Sequence, residues 1–379
     1  MPKPSIIHIH TDLKFIHSVE SSDEEEFENT LILVGNKGKY DGIYKDSIRY
    51  YDYSLKGFRK IISLCKTANI VILYSLDFPK AYIANRLPKS ITVIWRFFGT
   101  ELYSRIPEQV HSEKTIEILR LEEERNLYLK LKRQLRSHLS VIKYRSHAKN
   151  EINRAIFKRS DFFLGLAEPE HKFLKTIWQD LPPFLQSNIP PYLEVNTSKR
   201  TITNLIILGN NRRPYNNHLD IIEGIIERNS ENRFKFLLMF NYGSKSAYSD
   251  IVKKKASQVK EIEILENFMS LKKFQELYTT ADAFVLNGHR QMAMGNVLEA
   301  LKQNIKIYLN EKNLMYSWLK ENEFHVFTIE DFFSDLESNN IALSHPDALF
   351  NQQQLVKLTA KHNKQVFQNS IKKILKDGR

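Results

Sequence analysis

Two segments in the second half of the chain carry residue types suited to binding an anion. Residues 209–213 read Gly-Asn-Asn-Arg-Arg, and residues 287–296 read Asn-Gly-His-Arg-Gln-Met-Ala-Met-Gly-Asn; each follows an apolar run. A glycine at a strand end lets the backbone turn sharply and approach a ligand, and Asn and Arg side chains donate hydrogen bonds to phosphate oxygens. An ordinary strand-to-helix turn, with Asn216 or Asn217 capping the next helix, explains residues 209–213 equally well.

The segment 287–296 predicts a helix start that holds a diphosphate. Gly295 is expected to open a helix, whose free N–H groups and dipole attract anions, and Arg290 adds a full positive charge. Because no Asp-x-Asp pattern occurs there, the segment favours neutralisation of a diphosphate leaving group without a metal ion. Glu299 could accept hydrogen bonds from ribose hydroxyls, although an exposed acidic residue near the helix start is the simpler interpretation.

A third segment, residues 95–103, could supply a general base. It reads Trp-Arg-Phe-Phe-Gly-Thr-Glu-Leu-Tyr, and its glycine permits a tight turn that brings Glu101 to a helix start. A carboxylate there could deprotonate an acceptor hydroxyl, but an acidic residue at a helix start often only offsets the helix dipole. Asp12 is a rival base, as are His10 and His17.

The elements that position these residues alternate between strand and helix, which is the pattern of a parallel sheet covered by helices. In the first half, helices are predicted at 54–66 and 81–87 and strands at 6–10, 30–34, 70–74, 91–95 and 162–166. In the second half, crossover helices join six predicted strands at 205–208, 234–240, 262–265, 283–286, 305–309 and 326–328. The chain is therefore expected to form two doubly wound, Rossmann-like domains.

The predicted organisation is an N-terminal domain over residues 1–190, a C-terminal domain over 201–345, and a helical tail over 346–379. Within the first domain, residues 112–159 lack glycine and proline, begin acidic and become strongly basic. One or two long helices are expected there. They form either a cover on the sheet with a solvated face or a basic amphipathic surface that lies against anionic lipid headgroups.

Composition narrows the class of protein. The 379 residues carry a formal net charge of +12, which suits an anionic partner or simple solvation. A single cysteine, Cys65, excludes an internal disulfide and favours a reducing compartment. No apolar run has the length of a signal peptide core or a spanning helix, so a soluble or peripheral protein is expected. Phosphate-loop, Gly-x-Gly-x-x-Gly and Gly-x-Ser-x-Gly patterns are also absent from the sequence.

An ordered set of motifs resembles the bacterial acetamido-dideoxygalactose transferases of enterobacterial common antigen synthesis. That family has an aromatic-Gly-x-acidic-Leu-Tyr block, matched by residues 98–103, and a Gly-Asn block followed by Asn-x-His, matched by Gly209-Asn210 and residues 216–218. It also has an Arg-Gln pair, a glycine that opens a helix and a Leu-Asn-x-x-Asn block. Residues 290–291, 295 and 309–313 match these in order.

The resemblance implies a GT-B fold, which is two Rossmann-like domains facing a cleft. It further implies a dTDP- or UDP-linked deoxyamino sugar donor, no cofactor, and a polyprenyl-diphosphate-linked or other glycan acceptor at the cytoplasmic face of the inner membrane. We expect Glu101 or Asp12 to be the catalytic carboxylate. The nucleotide-sugar is expected to contact Gly209, Asn210, Asn217, His218, Tyr242, Gly243, Arg290, Gln291, Gly295, Asn296 and Glu299.

Two other classes of protein fit less well. A basic nucleic-acid-binding protein would need aromatic platforms interleaved with Lys and Arg, whereas the aromatic residues here lie mostly in strand-like runs. A non-catalytic scaffold of the same fold would tolerate changes at Arg290 and Glu101.

Overall fold

The computed structural model describes residues 3–12, 25–35, 48–125, 141, 143–190, 192, 200–228 and 233–377. Within them, thirteen strands form two sheets. The first sheet contains β1 Ser5–His10, β2 Glu28–Val34, β3 Ile48–Tyr51, β4 Ile70–Tyr74, β5 Thr92–Arg96, β6 Phe162–Gly165 and β7 Phe184–Gln186. The second contains β8 Leu205–Leu208, β9 Lys235–Met239, β10 Ile262–Leu265, β11 Ala283–Leu286, β12 Lys306–Leu309 and β13 Phe327–Thr328.

Helices connect the strands of both sheets. Those of the first half are α1 Leu55–Cys65, α2 Phe78–Ala84, α3 Thr100–Tyr103, α4 Pro107–Val110, α5 Glu113–Arg125, α6 Ala148–Arg154 with a π-helical continuation Ala155–Arg159, and α7 Glu168–Ile177. Those of the second half are α8 His218–Arg228, α9 Ala247–Ala256, α10 Leu271–Thr280, α11 Met294–Lys302, α12 Leu314–Glu321, α13 Ile329–Ser338, α14 His345–Lys361 and α15 Lys364–Asp377.

Both sheets are parallel and both reverse their strand order at one point. The first has the order β3-β2-β1-β4-β5-β6-β7 and the second β10-β9-β8-β11-β12-β13. In each sheet the first strand therefore lies beside the fourth, and connections leave that pair in opposite directions. The crevice outside the carboxyl ends of such a pair is where open parallel sheets bind ligands.

The chain divides into two compact units, each of which contains more than one segment of the sequence. One unit contains Met1–Glu101, Tyr128–Pro190 and Lys361–Arg379; the other contains Leu102–Leu127 and Pro191–Ala360. Residues 102–127, which the sequence analysis assigned to the N-terminal domain, thus pack with the second sheet. The region predicted as a separate tail provides α14 to the second unit and α15 to the first.

The cores explain these assignments. In the second unit, a buried cluster from all its central strands includes Ile206, Phe236 and Tyr308, and Ile118 of α5 packs against it. In the first unit, Phe367 and Ile371 of α15 are buried among Ile6, Ile72 and Leu164 of the sheet. Burial of an apolar helix face, and not adjacency in sequence, places each helix.

The predicted alternation of strand and helix is confirmed in both halves, and the misses have local causes. Helix α7 begins with Pro169 in its first turn and β7 directly follows Pro182-Pro183. Proline is well tolerated at a helix start and beside an edge strand. Much of the basic part of 112–159 lies outside the described residues. In the described part, α5 and α6 are separate helices, and Arg145, between them, has φ 51°.

No helix among the described residues is both long enough and apolar enough to cross a bilayer.

Helix α15 offers a test of this architecture. Phe367 is 2% exposed, whereas its neighbour Val366 is 42% exposed. Phe367→Ala should lower the free energy of unfolding of the first unit by about 3–5 kcal/mol because it removes a buried ring and leaves a cavity. Val366→Ala, the matched control on the same helix, should cost well under about 1 kcal/mol. Denaturant unfolding measures both, and equal losses would contradict the packing described.

Candidate functional site

The two anion-suited segments of the second unit meet at the carboxyl edge of its sheet. Because β8 lies beside β11, the loops that follow these strands are neighbours. The Gly209 N–H donates to the Val285 carbonyl at 2.8 Å. The Asn217 amide donates to the Asn287 carbonyl at 2.9 Å, and the Asn287 amide donates back to the Asn217 carbonyl at 3.2 Å. The structure therefore joins loops 209–217 and 287–293 by direct hydrogen bonds.

Contacts made by side chains of loop 209–217 hold the backbone of this loop. Gly209 has φ +65°, and a Cβ on it would lie 3.1 Å from Asn216 Oδ1 and 3.2 Å from His218 Nε2. The Asn210 N–H donates to Asn216 Oδ1 at 3.1 Å. Asn217, instead of capping a helix through its amide, accepts from the Ser112 N–H at 2.9 Å. These contacts fix the loop backbone without any ligand.

His218, the first residue of α8, packs against this loop. It is 3% exposed, and its ring nitrogens lie 3.1 Å from Tyr248 Oη and 3.0 Å from the Asn211 carbonyl. Burial lowers its pKa to about 3, although the bond to Asn211 opposes the shift. His218 is therefore a neutral imidazole with both nitrogens engaged by the protein.

Arg290 is a buried cation with aromatic neighbours. Its side chain is 8% exposed. The guanidinium carbon lies 4.4 Å from the centre of the Tyr215 ring and 5.3 Å from that of Tyr103. One guanidinium nitrogen donates to the Gln291 carbonyl at 3.3 Å, and Nε is buried without a hydrogen-bond partner. Among the residues that the structure describes, no carboxylate pairs with Arg290.

Further buried polar atoms at this edge have no partner. Gln291 Oε1 and Asn241 Oδ1, in the loops after β11 and β9, join Arg290 Nε in this respect. Buried polar groups are nearly always hydrogen-bonded in folded proteins. Two of these atoms lie in the loop after β11 and the third in the loop after β9, on the other side of β8. Buried polar atoms without a partner at one sheet edge are typical of a place where a polar ligand completes the bonding.

Helix α11 begins at Met294, shortly after Arg290 and Gln291 in sequence. Its N-cap residue, Ala293, has φ 58° and makes no side-chain cap. A Cβ placed on Gly295 would meet no atom within 4 Å. The first turn thus has N–H groups that no side chain caps, next to open space, which is a favourable place for an anion.

Two residues farther along α11 differ in their surroundings from a solvated helix face. The Asn296 amide donates to Tyr278 Oη of α10 at 2.8 Å. Glu299 is only 5% exposed and accepts from Gln303 Nε2 at 2.9 Å. The simpler interpretation of Glu299 as an exposed acidic residue is therefore wrong. Packing of α11 against its neighbours, which the local sequence does not encode, buries this side chain.

Loop 241–243 lies against the first loop. Gly243 has φ +105°, and a Cβ there would lie 3.1 Å from the Cγ atoms of Arg212 and Arg213. Nε of the Arg212 guanidinium donates to the Phe240 carbonyl at 2.8 Å. The backbone N–H of Arg212 donates to the Tyr242 carbonyl at 3.0 Å. Arg212 is thus a structural clamp, while Arg213 is exposed, with its guanidinium 5.7 Å from the centre of the Tyr242 ring.

Glu101 is bound within the first unit. Its Oε1 accepts from the Leu76 N–H at 3.0 Å and from Trp95 Nε1 at 3.3 Å. Burial raises the pKa of this carboxyl, against the opposing effect of these bonds and of Lys80. A carboxylate fixed in orientation and with a raised pKa has properties of a general base, and it also anchors the start of α3.

The rival bases lie at the end of β1 or after it. Asp12 is exposed. His10, the last residue of β1, is 1% exposed and stacks on Tyr74 with 3.9 Å between ring centres. Burial, with His8 and Lys80 nearby, lowers the pKa of His10 to about 2, so the imidazole is neutral. His17 lies outside the described residues.

Several residues at the two edges were not found from sequence. In the second unit these are the aromatic neighbours of Arg290. In the first unit, Lys80 is buried and donates to Thr11 Oγ1 and to the Tyr74 carbonyl, each at 2.7 Å, while pairing with Asp77. The sequence signal that could have indicated this ion pair was the i,i+3 spacing of Asp77 and Lys80 just after a strand. The only sequence signal for the aromatic neighbours of Arg290 was that Tyr215 lies close to Arg213 and Asn217 along the chain.

Across the described ranges, no group of three or more His, Cys, Asp or Glu side chains converges in a manner that could hold a metal ion.

Comparisons with known proteins agree on the fold. With HepE of Anabaena, solved in complex with UDP and glucose, the TM-score is 0.62 at 6% identity, covering 99% of this chain and 100% of that one. With sucrose-phosphate synthase of Thermosynechococcus elongatus it is 0.64 at 8% identity, covering 99% of both. With a glycosyltransferase of Rickettsia africae it is 0.60 at 11% identity, covering 100% and 99%. A search of curated proteins gave no significant match.

The fold prediction is confirmed: the two parallel α/β units correspond to the GT-B glycosyltransferase fold. The family model described as 4-alpha-L-fucosyltransferase, glycosyl transferase group 56, matches residues 168–373, which is more than half of the chain. This match includes α11 and the loops 209–217, 241–243 and 287–293. The chain is therefore a glycosyltransferase that belongs to group 56.

Proposed function

We propose that this enzyme transfers a deoxyamino sugar from a dTDP- or UDP-sugar to a polyprenyl-diphosphate-linked saccharide in the synthesis of a bacterial surface polysaccharide. The donor's diphosphate binds at the start of α11 and beside Arg290, and its ribose contacts Glu299. Transfer proceeds without a catalytic metal ion, and the enzyme works as a peripheral protein on the cytoplasmic face of the inner membrane.

The observation that carries this proposal is that the guanidinium of Arg290 is buried without an ion pair to any carboxylate of the described residues. It is 8% exposed and has no carboxylate partner among the described residues. Burial of a charge is costly unless the charge is paired, so the site is built for an anion that arrives with the substrate. The uncapped first turn of α11 follows within the same loop and supplies N–H donors for the same anion.

This arrangement suits the chemistry of glycosyl transfer. The leaving nucleoside diphosphate gains negative charge as the bond between the anomeric carbon of the sugar and the diphosphate oxygen breaks, while the acceptor oxygen bonds to that carbon. Fixed donors and a cation aimed at the developing charge lower the barrier, because they need not reorganise during the reaction. The guanidinium and the helix start perform the role that a bound divalent ion performs in other transferases.

The comparisons support the class of donor. The structures of HepE were solved with UDP and with UDP-glucose, and that of an alpha-glucosyltransferase was solved with UDP. The family description names a fucosyltransferase. Fucose is 6-deoxygalactose, so it shares the missing 6-hydroxyl with the 4-acetamido-4,6-dideoxygalactose that the sequence resemblance implies.

The acceptor is proposed to meet the first unit. Glu101, held by Leu76 and Trp95, is our preferred base for the acceptor hydroxyl in an inverting transfer. Burial raises the pKa of this carboxyl, and a more basic carboxylate accepts a proton from a hydroxyl more readily. The net charge of +12 suits approach to anionic lipid headgroups.

Replacement of Arg290 tests the anion site. Arg290→Ala should weaken binding of UDP or dTDP by roughly 10- to 100-fold, because a charge-assisted hydrogen bond contributes about 1.5–3 kcal/mol. Arg228→Ala removes the same charge from the far end of α8, where Arg228 pairs with Glu227 and Glu337, and should leave the affinity unchanged. Isothermal titration compares the two variants. Equal affinity of Arg290→Ala and wild type would overturn the proposed function.

A thermal-shift panel of nucleoside diphosphates tests donor class and metal use together. UDP or dTDP should raise the melting temperature by mass action, and EDTA should not reduce that shift. Purine diphosphates serve as the comparison within the panel. A shift that EDTA abolishes would refute the metal-independent mechanism, and no shift with any nucleotide would refute the donor assignment.

Glu101→Gln tests the base. The amide oxygen can still accept from Leu76 and Trp95, so the fold should persist, while kcat should fall by about 10²–10⁴-fold. Asp12→Asn should keep most of the activity. The reverse result would assign the base to Asp12.

The same variant has a pH signature in stability. Burial raises the pKa of Glu101 above its unfolded value, so the folded state binds more protons between these two pKa values. The free energy of unfolding therefore loses this contribution as pH rises through that window. Glu101→Gln should remove that slope, which denaturant unfolding at several pH values measures.

A further inference from the structure

We propose that Tyr215 and Tyr103 are positioning residues that hold the guanidinium of Arg290 ready for the donor's diphosphate. This inference rests on the proposed function, since it assigns to Arg290 the anion described above. It adds two side chains that do not themselves need to touch the substrate.

The geometry is that of a cation lying over two aromatic rings. The guanidinium carbon of Arg290 lies 4.4 Å from the ring centre of Tyr215 and 5.3 Å from that of Tyr103. Both separations are within the roughly 6 Å over which a cation is attracted by an aromatic face. Tyr103 is 1% exposed and Tyr215 is half-buried, so the rings replace much of the water that would otherwise surround the charge.

The rings stabilise the charge without neutralising it. A contact of this kind stabilises the guanidinium by far less than full burial of an ion would cost. A carboxylate in the same place would cancel the charge and compete with phosphate. Aromatic faces fix the position of the guanidinium and leave its edge, including the unpartnered Nε, available to an incoming anion.

Hydrogen bonds hold the backbone at Tyr215 independently of Arg290. Tyr215 lies in a single 3-10 turn, Pro214–Asn216, which is followed by Asn217 at φ 47°. The Asn216 amide holds this turn by donating to the Asn211 carbonyl at 3.1 Å and to the Arg213 carbonyl at 3.2 Å. The backbone that carries the Tyr215 ring is therefore held by contacts that do not involve the guanidinium.

A third ring extends the stack. His111 packs on Tyr215 with 4.7 Å between ring centres and 22° between planes. Burial, assisted by Arg290, lowers the pKa of His111 to about 4. The imidazole is thus neutral at physiological pH and adds no second positive charge that would push the guanidinium away.

Tyr103 and His111 reach this site because residues 102–127 belong to the second unit. The block at 98–103, which the sequence resemblance linked to the first domain, is therefore divided. Its glutamate is bound within the first unit, whereas its tyrosine contacts the donor-binding arginine.

Replacement of Tyr215 tests the inference. Tyr215→Leu removes the ring face and should weaken UDP or dTDP binding by about tenfold, while binding of the corresponding nucleoside, which lacks phosphate, should change less than about twofold. Tyr215→Phe keeps the face and should restore the affinity of wild type. Titration with the diphosphate and competition with the nucleoside provide the two measurements. A tyrosine that only maintains the fold would weaken both ligands alike.

Phe333→Leu is the matched control. The Arg228 guanidinium lies 4.9 Å from the centre of the Phe333 ring in the same unit, so this change removes an arginine–aromatic contact that is remote from the site. Its diphosphate affinity should equal that of wild type. If Tyr215→Leu does not fold, Tyr103→Leu tests the same guanidinium from the second ring.

The outcomes separate this inference from the proposed function. Loss of diphosphate binding in Arg290→Ala together with full binding in Tyr215→Leu and Tyr103→Leu would refute the positioning role and leave the proposed function intact. Full binding in Arg290→Ala would refute the proposed function itself. Selective loss in the leucine variants, with recovery in Tyr215→Phe, would support both.

Discussion

A buried positive charge without a fixed counter-charge governs the second unit of this enzyme. Arg290 is held between Tyr215 and Tyr103, and no carboxylate of the described residues neutralises it. Such a charge lowers the stability of the protein alone and raises its affinity for an anion, because the anion removes the penalty of burial. The surrounding loops can be understood as the structure needed to maintain this charge.

The sheet topology determines which loops can do so. Because β8 and β11 are adjacent and parallel, the loops after them are brought together at the carboxyl edge. Reciprocal amide bonds between Asn217 and Asn287 then join the loops, and Gly209 leaves room for the Asn216 and His218 side chains, which a Cβ at this position would approach to 3.1 Å and 3.2 Å. Connections of this kind position Arg290 and the start of α11 before any ligand is present, which is the preorganisation that electrostatic catalysis requires.

The sequence predicted the parts of this structure that depend on local pattern. Apolar runs of four to five residues located most strands, and the turn residues after them located the loops that contain Gly209 and Arg290. The remainder depends on tertiary packing. Nothing local indicates that Glu299 is buried, that both nitrogens of His218 are engaged, or that Tyr103 packs with a sheet formed by residues beyond 200. These facts arise where elements distant in sequence meet, and amphipathic patterns do not identify the partner of a helix.

The choice of arginine at position 290 follows from the same physics. A lysine ammonium in an apolar, partly aromatic setting would lose its proton readily, because burial disfavours the charged form and the free pKa is only about 10.4. A guanidinium retains its charge under these conditions, can lie over a ring such as that of Tyr215, and has in-plane N–H donors of the kind that bind phosphate. Stacking and anion binding use different parts of the group, its face and its edge. One side chain can therefore be fixed by aromatic rings and still present its donors to a diphosphate.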